Sequence, residues 1–165
     1  IVSLEFTMKL MFMRNWLSVL AVSLALAAGS MYAARADADG VRHTQRQQSI
    51  LIHLGHSTDD IHSADMALHM GTNLAKHGAR VTMFVDREGV RIADKRLPIA
   101  DLTWGTDNVG TDYSAFLAAG GLVVVCPGCA ANQGLTSERL REGAVMGTPD
   151  SVAALMLEAD KVIDF

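Results

Sequence analysis

Two cysteines, Cys126 and Cys129, are the side chains in this sequence that are best suited to chemistry. Their C-x-x-C spacing is typical of redox proteins, in which one thiolate attacks a sulfur atom and the second thiol resolves the product. Cys126 directly follows the apolar run of residues 122–125, so it would lie at the end of a strand, near helix N-terminal amides that favour a thiolate. Cys126 is therefore the candidate nucleophile. An inert local disulfide is the open alternative.

Histidine is the second residue type that could take part in chemistry here. His56 would lie at the tip of the first predicted strand, from which it could reach Cys126 as a cation or a proton acceptor. His62, Met66 and His69 are spaced i, i+4 and i+7, so they share a helix face and could bind a soft metal such as copper together with a thiolate. Packing or subunit contact is the simpler interpretation of that face. A closed zinc site is disfavoured, because it needs four ligands and usually two cysteine pairs.

The hydrophobic pattern predicts the scaffold for these residues. Short apolar runs rich in β-branched residues predict strands at residues 50–54, 81–85, 122–125, 144–146 and 161–165. Between the first two, apolar residues recur every three or four positions, with N-cap residues at 57–60 and a stop at Gly78. Helices are also predicted at residues 113–119, capped by Asp112, and at 150–158. This alternation predicts an α/β domain with a roughly five-stranded parallel sheet flanked by helices.

The carboxyl ends of the parallel strands are the expected location of the site, because loops and helix N-termini converge there. Three predicted segments meet this condition: residues 55–60, 126–129 and 147–148. The pattern is weakest in residues 86–112, where it predicts only a short turn and a loop around Trp104.

Length and composition indicate one domain. The 165 residues match a single domain of roughly 100 to 200 residues. Half of them are hydrophobic, and the formal net charge of -4 is spread without a block of like charge, so no nucleic-acid surface is expected.

Residues 1–38 have the organisation of a secretory leader with a signal peptide. Positive residues, an apolar stretch and small residues follow one another, and the apolar stretch is shorter than the roughly 20 residues that span a bilayer. Cleavage after Ala36 or Ala38 would leave a polar lead at residues 39–48 and the domain at residues 49–165. The chain is thus predicted to be periplasmic, without stable membrane insertion after cleavage; an uncleaved N-terminal anchor is the alternative.

The sequence resembles a known family in three C-terminal segments and in the predicted first βαβ unit. The C-terminal segments are residues 120–135 (GGLVVVCPGCAANQGL), 142–147 and 159–163, and they resemble DsrE/DsrF-like proteins of sulfur relays. Residues 56–60, 78–85 and 88–90 are similar to the first βαβ unit of that family. The resemblance therefore covers roughly residues 49–165.

The resemblance implies a flavodoxin-like fold, assembly as trimers or hexamers, and a persulfide on Cys126, with no bound cofactor or metal. The leading hypothesis is a periplasmic sulfur-trafficking protein, either a carrier or a sulfurtransferase-like enzyme, that exchanges sulfur with sulfane-sulfur donors and acceptors. In this hypothesis Cys126 accepts sulfur, Cys129 releases or protects it, and His56 assists. The alternatives are a non-enzymatic copper-binding or structural module on the same fold, and a C-x-x-C thiol-disulfide oxidoreductase.

Overall fold

A central parallel sheet organises residues 46–165, which are the part of the chain that this computed structural model describes. The predicted leader and most of the polar lead lie outside the described residues. The strands and α-helices, in chain order, are β1 (Ser49–Leu54), α1 (Ile61–Lys76), β2 (Arg80–Val85), β3 (Thr103–Trp104), β4 (Asp107–Asn108), α2 (Val109–Ala118), β5 (Leu122–Val125), α3 (Pro127–Asn132), β6 (Ala144–Met146), α4 (Pro149–Glu158) and β7 (Lys161–Asp164). Within this region, 3₁₀ helices lie at Arg87–Ala93, Ile99–Asp101 and Ser137–Arg139.

The five long strands pair in the order β6-β5-β2-β1-β7, and every pairing is parallel. The predicted α/β, flavodoxin-like sheet of about five parallel strands flanked by helices is confirmed. The connection through α4 crosses the sheet, from β6 on one side to β7 on the other. The last strand therefore lies beside the first. Among the described residues, the structure contains no helix that is both long and apolar enough to cross a membrane.

Successive side chains of each strand point to opposite faces of the sheet, so core residues lie on both faces. Ile52, Met83 and Val123 lie on the face that packs against α1 and α2, and all three are fully buried. The opposite face carries Leu51, Phe84 and Val124, on which Val152, Leu155 and Ala159 of the α4 region pack. The predicted apolar stripe of α1 thus covers one face of the sheet.

Local capping sets most helix boundaries as predicted. Asp60 caps α1 by accepting a hydrogen bond from the Ser63 N–H, and Gly78 follows the helix with φ +90°, a conformation that glycine adopts without strain. Thr148 and Ser151 form a reciprocal capping box at the start of α4, and Pro149 occupies its first turn.

The predicted start of α2 at residue 113 is wrong. The helix begins at Val109, where the Asn108 side chain accepts a hydrogen bond from the Thr111 N–H at 3.0 Å. Asp112, the expected cap, lies inside the first turn and is 8 % exposed. Asn108 and Asp112 are both good N-cap residues, and burial of Val109 together with Tyr113 favours the earlier start.

The weakly patterned middle of the chain contains short elements. The predicted turn at residues 87–90 is the beginning of a longer 3₁₀ helix, Arg87–Ala93. The predicted Trp104 loop is a two-stranded hairpin, in which Gly105 turns with φ +60°. These elements connect β2 to α2.

Candidate functional site

The carboxyl ends of the neighbouring strands β1, β2 and β5 lie side by side. They form the cysteine edge of the sheet, which is distinct from its outermost strands, β6 and β7. Leu54 pairs with Val85, and Val85 pairs with Val125, so the residues that follow them are Gly55, Asp86 and Cys126. The Cys126 N–H continues the ladder by donating to the Val85 carbonyl at 2.9 Å. Of the predicted segments, residues 126–129 therefore lie in the middle of this edge, and residues 55–60 and 147–148 lie to either side.

The two cysteines share one helical turn at this edge. Cys126 is the N-cap of α3, Pro127 follows it, and the Cys129 N–H donates a hydrogen bond to Cys126 Sγ at 3.4 Å. Both residues are half-buried free thiols in the structure. An N–H donor at this sulfur stabilises negative charge that develops there in a reaction.

The Cys129 side chain has a different environment from Cys126. Burial raises the pKa of the Cys129 thiol, and a side-chain hydrogen bond with Cys126 raises it further. A hydrogen bond from the Arg87 backbone opposes this rise, whereas the nearby Asp86 carboxylate adds to it. The Cys129 thiol is therefore harder to deprotonate than an ordinary cysteine thiol, because these effects raise its pKa.

Sequence reasoning missed the end of β2, which lies between the tips of β1 and β5. Asp86 Oδ1 lies 3.0 Å from His53 Nε2 and 3.1 Å from Arg87 Nε. The other nitrogen of His53 pairs with Asp164, and its ring stacks on Phe84. Asp86 therefore joins the cysteine loop to a charged network that extends to β7. The sequence signal that could have identified Asp86 was its position directly after the strand predicted at residues 81–85.

Arg87 has the least ordinary backbone of this edge. Its φ is +44°, the sole positive φ of a non-glycine residue in the described part of the chain, and such conformations are sparsely populated. The Gln133 side chain donates to the Arg87 carbonyl at 2.8 Å, which ties the end of α3 to the end of β2. The Arg87 backbone is thereby held beside the Cys129 sulfur.

Two glycines allow the chain to fold closely over this edge. A Cβ on Gly89 would lie 2.2 Å from the Leu54 carbonyl oxygen, and a Cβ on Gly55 would lie 1.9 Å from an Arg87 guanidinium nitrogen. The Gly89 N–H also donates to the Gly55 carbonyl at 3.1 Å. The 3₁₀ helix after β2 can therefore pack directly onto the end of β1.

The structure does not bring His56 to Cys126. His56 Nδ1 instead pairs with Asp59 Oδ2 at 2.7 Å, in the loop before α1. The physical reason is the strand order: β2 lies between β1 and β5, so the tips of β1 and β5 are about 10 Å apart, two strand spacings.

The histidines considered for a copper site have separate partners. The His62 ring stacks on Trp104 with a centroid distance of 4.6 Å, whereas His69 lies between Asp65 and Asp112. Over residues 46–165, no cysteine belongs to a group of three His, Cys, Asp or Glu side chains close enough to share an ion. A joint thiolate and histidine site is thus not formed.

Comparison with known proteins gives one family and several solved structures with a similar fold. The model of the DsrE/DsrF-like family matches residues 48–165. The crystal structure of the ychN protein from E. coli is similar with 20% sequence identity and a TM-score of 0.61, over 73% of this chain and 100% of that chain. MTH1491 from Methanobacterium thermoautotrophicum, described as a protein of unknown function, is similar with 13% identity and a TM-score of 0.53, over 72% of this chain and 100% of that chain. No curated protein sequence gives a significant match. At these identities the two structures support the fold alone.

Proposed function

The chain belongs to the DsrE/DsrF-like family, which is associated with sulfur relay, and from this we propose that it carries sulfane sulfur as a persulfide on Cys126 in the periplasm. The supporting observation is the unequal pair of thiols: Cys126 Sγ accepts a hydrogen bond from the Cys129 N–H, whereas burial raises the pKa of the Cys129 thiol. A carrier of this kind needs one nucleophilic sulfur that is accessible to donors.

Loading is a simple displacement at sulfur. The Cys126 thiolate attacks the sulfane sulfur of a donor such as thiosulfate, the new S–S bond forms, and the S–S bond of the donor breaks. The electron pair of the broken bond leaves with sulfite, and Cys126 holds a persulfide. No external oxidant or reductant is consumed.

Unloading reverses this chemistry. A thiolate on an acceptor attacks the outer sulfur of the persulfide, becomes a persulfide itself, and leaves the Cys126 thiolate behind. Cys129 can instead attack Cys126 Sγ, which would release hydrosulfide and form a Cys126–Cys129 disulfide that a dithiol must then reduce. Turnover between donor and acceptor would make the protein sulfurtransferase-like.

Mass spectrometry of the persulfide tests this proposal. The reduced protein is exposed to thiosulfate or polysulfide, and the intact mass is then measured before and after a reductant is added. A gain of one sulfur atom, retained in Cys129→Ser and absent from Cys126→Ser, is expected. If Cys129→Ser, which cannot form the disulfide, gains no sulfur, or if Cys126→Ser gains as much as Cys129→Ser, the persulfide carrier is wrong.

Thiol-disulfide exchange is a second candidate, favoured by the placement of both cysteines in the first turn of α3. In that case a disulfide-bonded substrate would oxidise the pair with loss of two hydrogen atoms and no gain of sulfur. The mass of Cys129→Ser distinguishes the two functions, because this variant cannot form the disulfide and gains sulfur in the carrier alone.

The periplasmic location rests on the leader predicted at residues 1–38. Intact mass of the protein recovered from the periplasm should show cleavage after Ala36 or Ala38. Recovery of the uncleaved chain from the membrane fraction would instead support the N-terminal anchor.

We also propose that the protein forms a homo-oligomer, a trimer or hexamer, through the exposed surface on the α4 side of the sheet. Met156, Leu157 and Val162 are 50%, 88% and 58% exposed, and Val145 on the edge strand is 46% exposed. A groove of about 440 Å³ runs between β5, β6 and α4, with Leu122, Val124 and Leu155 in its lining. Large exposed apolar side chains beside an apolar groove are typical of a protein interface.

A further inference from the structure

Away from the cysteine edge, a histidine lies between two buried carboxylates where α1 packs against α2. His69 Nδ1 is 3.6 Å from Asp65 Oδ2, and His69 Nε2 is 3.1 Å from Asp112 Oδ1. Asp65 and His69 are one helical turn apart on α1, whereas Asp112 comes from the first turn of α2. The carboxylate residues are 2% and 8% exposed, and the His69 side chain is 41% exposed, so the cluster is open to solvent on the histidine side alone.

Each carboxylate has an oxygen that lacks a hydrogen-bond donor. Asp65 Oδ1 and Asp112 Oδ2 are both buried and unpartnered, and His69 is the single ion-pair partner of either residue within residues 46–165. Buried acceptors without a donor are rare and costly in native proteins. The cluster therefore presents two buried carboxyl groups to a single histidine, and one oxygen of each has no donor.

We propose that Asp65, His69 and Asp112 bind a divalent transition-metal ion of the Zn²⁺ class and thereby link α1 to α2. Each residue can offer one ligand atom, and these atoms lie within 4.8 Å of one another. A tetrahedral site with bonds of about 2.0–2.2 Å has ligand atoms about 3.4 Å apart, and the 3.1 Å between His69 Nε2 and Asp112 Oδ1 is close to that value.

The donor set decides the class of ion. One imidazole nitrogen and two carboxylate oxygens suit Zn²⁺, Co²⁺ or Ni²⁺, whereas Ca²⁺ and Mg²⁺ take six or more ligands that are mainly oxygen. Three protein ligands leave a fourth position for water, which has access from the exposed side of His69. The ion would supply the positive charge that both buried carboxylates lack.

Metal titration of the full chain tests this site. The Cys126→Ser/Cys129→Ser variant is the background, because thiolates bind the same ions; it is prepared without an affinity tag and freed of metal with a chelator. Co²⁺ is followed by its visible absorption, and Zn²⁺ by calorimetry and by competition with Co²⁺. One ion per chain is expected, with the intense absorption of a four- or five-coordinate Co²⁺ site.

Matched variants separate this cluster from adventitious binding. Asp65→Asn and His69→Ala should each weaken binding by more than about tenfold, whereas His62→Ala, on the same helix but outside the cluster, should leave it unchanged. Zn²⁺ should also raise the melting temperature of the background protein and not that of Asp65→Asn, which keeps the size of the side chain. Absence of saturable binding, retention of affinity in both cluster variants, or equal loss in His62→Ala would overturn the proposal.

Discussion

The backbone N–H of Cys129 donates a hydrogen bond to Cys126 Sγ at 3.4 Å, so the two cysteines of one short motif differ in chemical character. Cys126 accepts this hydrogen bond at the carboxyl end of the strands, whereas burial and a side-chain hydrogen bond with Cys126 raise the pKa of the Cys129 thiol. The Asp86 carboxylate after β2 adds to that rise, and a hydrogen bond from the Arg87 backbone opposes it.

Alkylation should reveal this difference directly. With iodoacetamide at neutral pH, Cys126 in the Cys129→Ser variant should react at least about tenfold faster than Cys129 in the Cys126→Ser variant, because the thiolate is the nucleophile. Rates measured from pH 6 to 10 by mass spectrometry would show Cys129 reacting mainly at the alkaline end, as its raised pKa requires. Equal rates would contradict the assignment of roles.

The close approach at Gly89 should make alanine costly there. A Cβ would meet the Leu54 carbonyl oxygen at 2.2 Å, and backbone cannot move aside easily, so Gly89→Ala should lower the free energy of unfolding by about 2 kcal/mol or more. Gly55→Ala is the matched control: its Cβ meets only the end of the Arg87 side chain, which is 58% exposed and can turn away. Urea denaturation of both variants checks this, and a larger loss in Gly55→Ala would contradict it.

Removal of the Asp65 charge should stabilise the metal-free protein at neutral pH. Burial raises the pKa of Asp65 in the folded state above its ordinary value of 3.8. The protonated Asp65 side chain therefore makes its full contribution to stability below pH 3.8. This contribution is lost as the pH rises through the raised pKa of the folded state. Asp65→Asn should gain on the order of 1 kcal/mol at pH 7, because the amide buries no charge.

The difference between wild type and Asp65→Asn should itself depend on pH. It should be small near pH 3.5 and grow toward pH 7, in chelator-treated samples followed by thermal unfolding. Carboxylates whose pKa is lowered, such as Asp94 beside Arg96, affect both proteins equally and cancel in the difference. A difference that is constant with pH would show that the Asp65 charge is not the cause.

The exposed apolar face of α4 should control assembly. Leu157→Glu places a charge on the most exposed of these side chains and should shift the protein to monomers, as measured by light scattering after size-exclusion chromatography. Met66→Glu is the control, because Met66 is also an exposed apolar residue but lies on α1, across the sheet. Oligomers that persist in Leu157→Glu, or are lost equally in Met66→Glu, would place the interface elsewhere.

Several features of this protein were predictable because they depend on short segments of chain. β-branched runs predicted β1, β2 and β5, and the pair of Asp60 and Gly78 predicted the limits of α1. The position of Cys126 directly after β5 followed from the same local pattern. These signals reside in backbone propensity and capping, which act over a few residues.

Only the tertiary structure decided which of these segments meet. Strand order places β2 between β1 and β5, which separates His56 from Cys126 and brings Asp86 to the cysteine loop instead. Asp112 resembled a helix cap in the sequence, yet packing of α2 on α1 buries it against His69. Sequence alone predicted the five strands of the sheet, the limits of α1 and the position of the cysteine motif, because each is encoded locally. The tertiary structure decided which residues surround that motif, and it assembled the Asp65–His69–Asp112 cluster. Both depend on contacts between residues that are distant in the chain, and these contacts are set by the strand order and by the packing of α2 on α1.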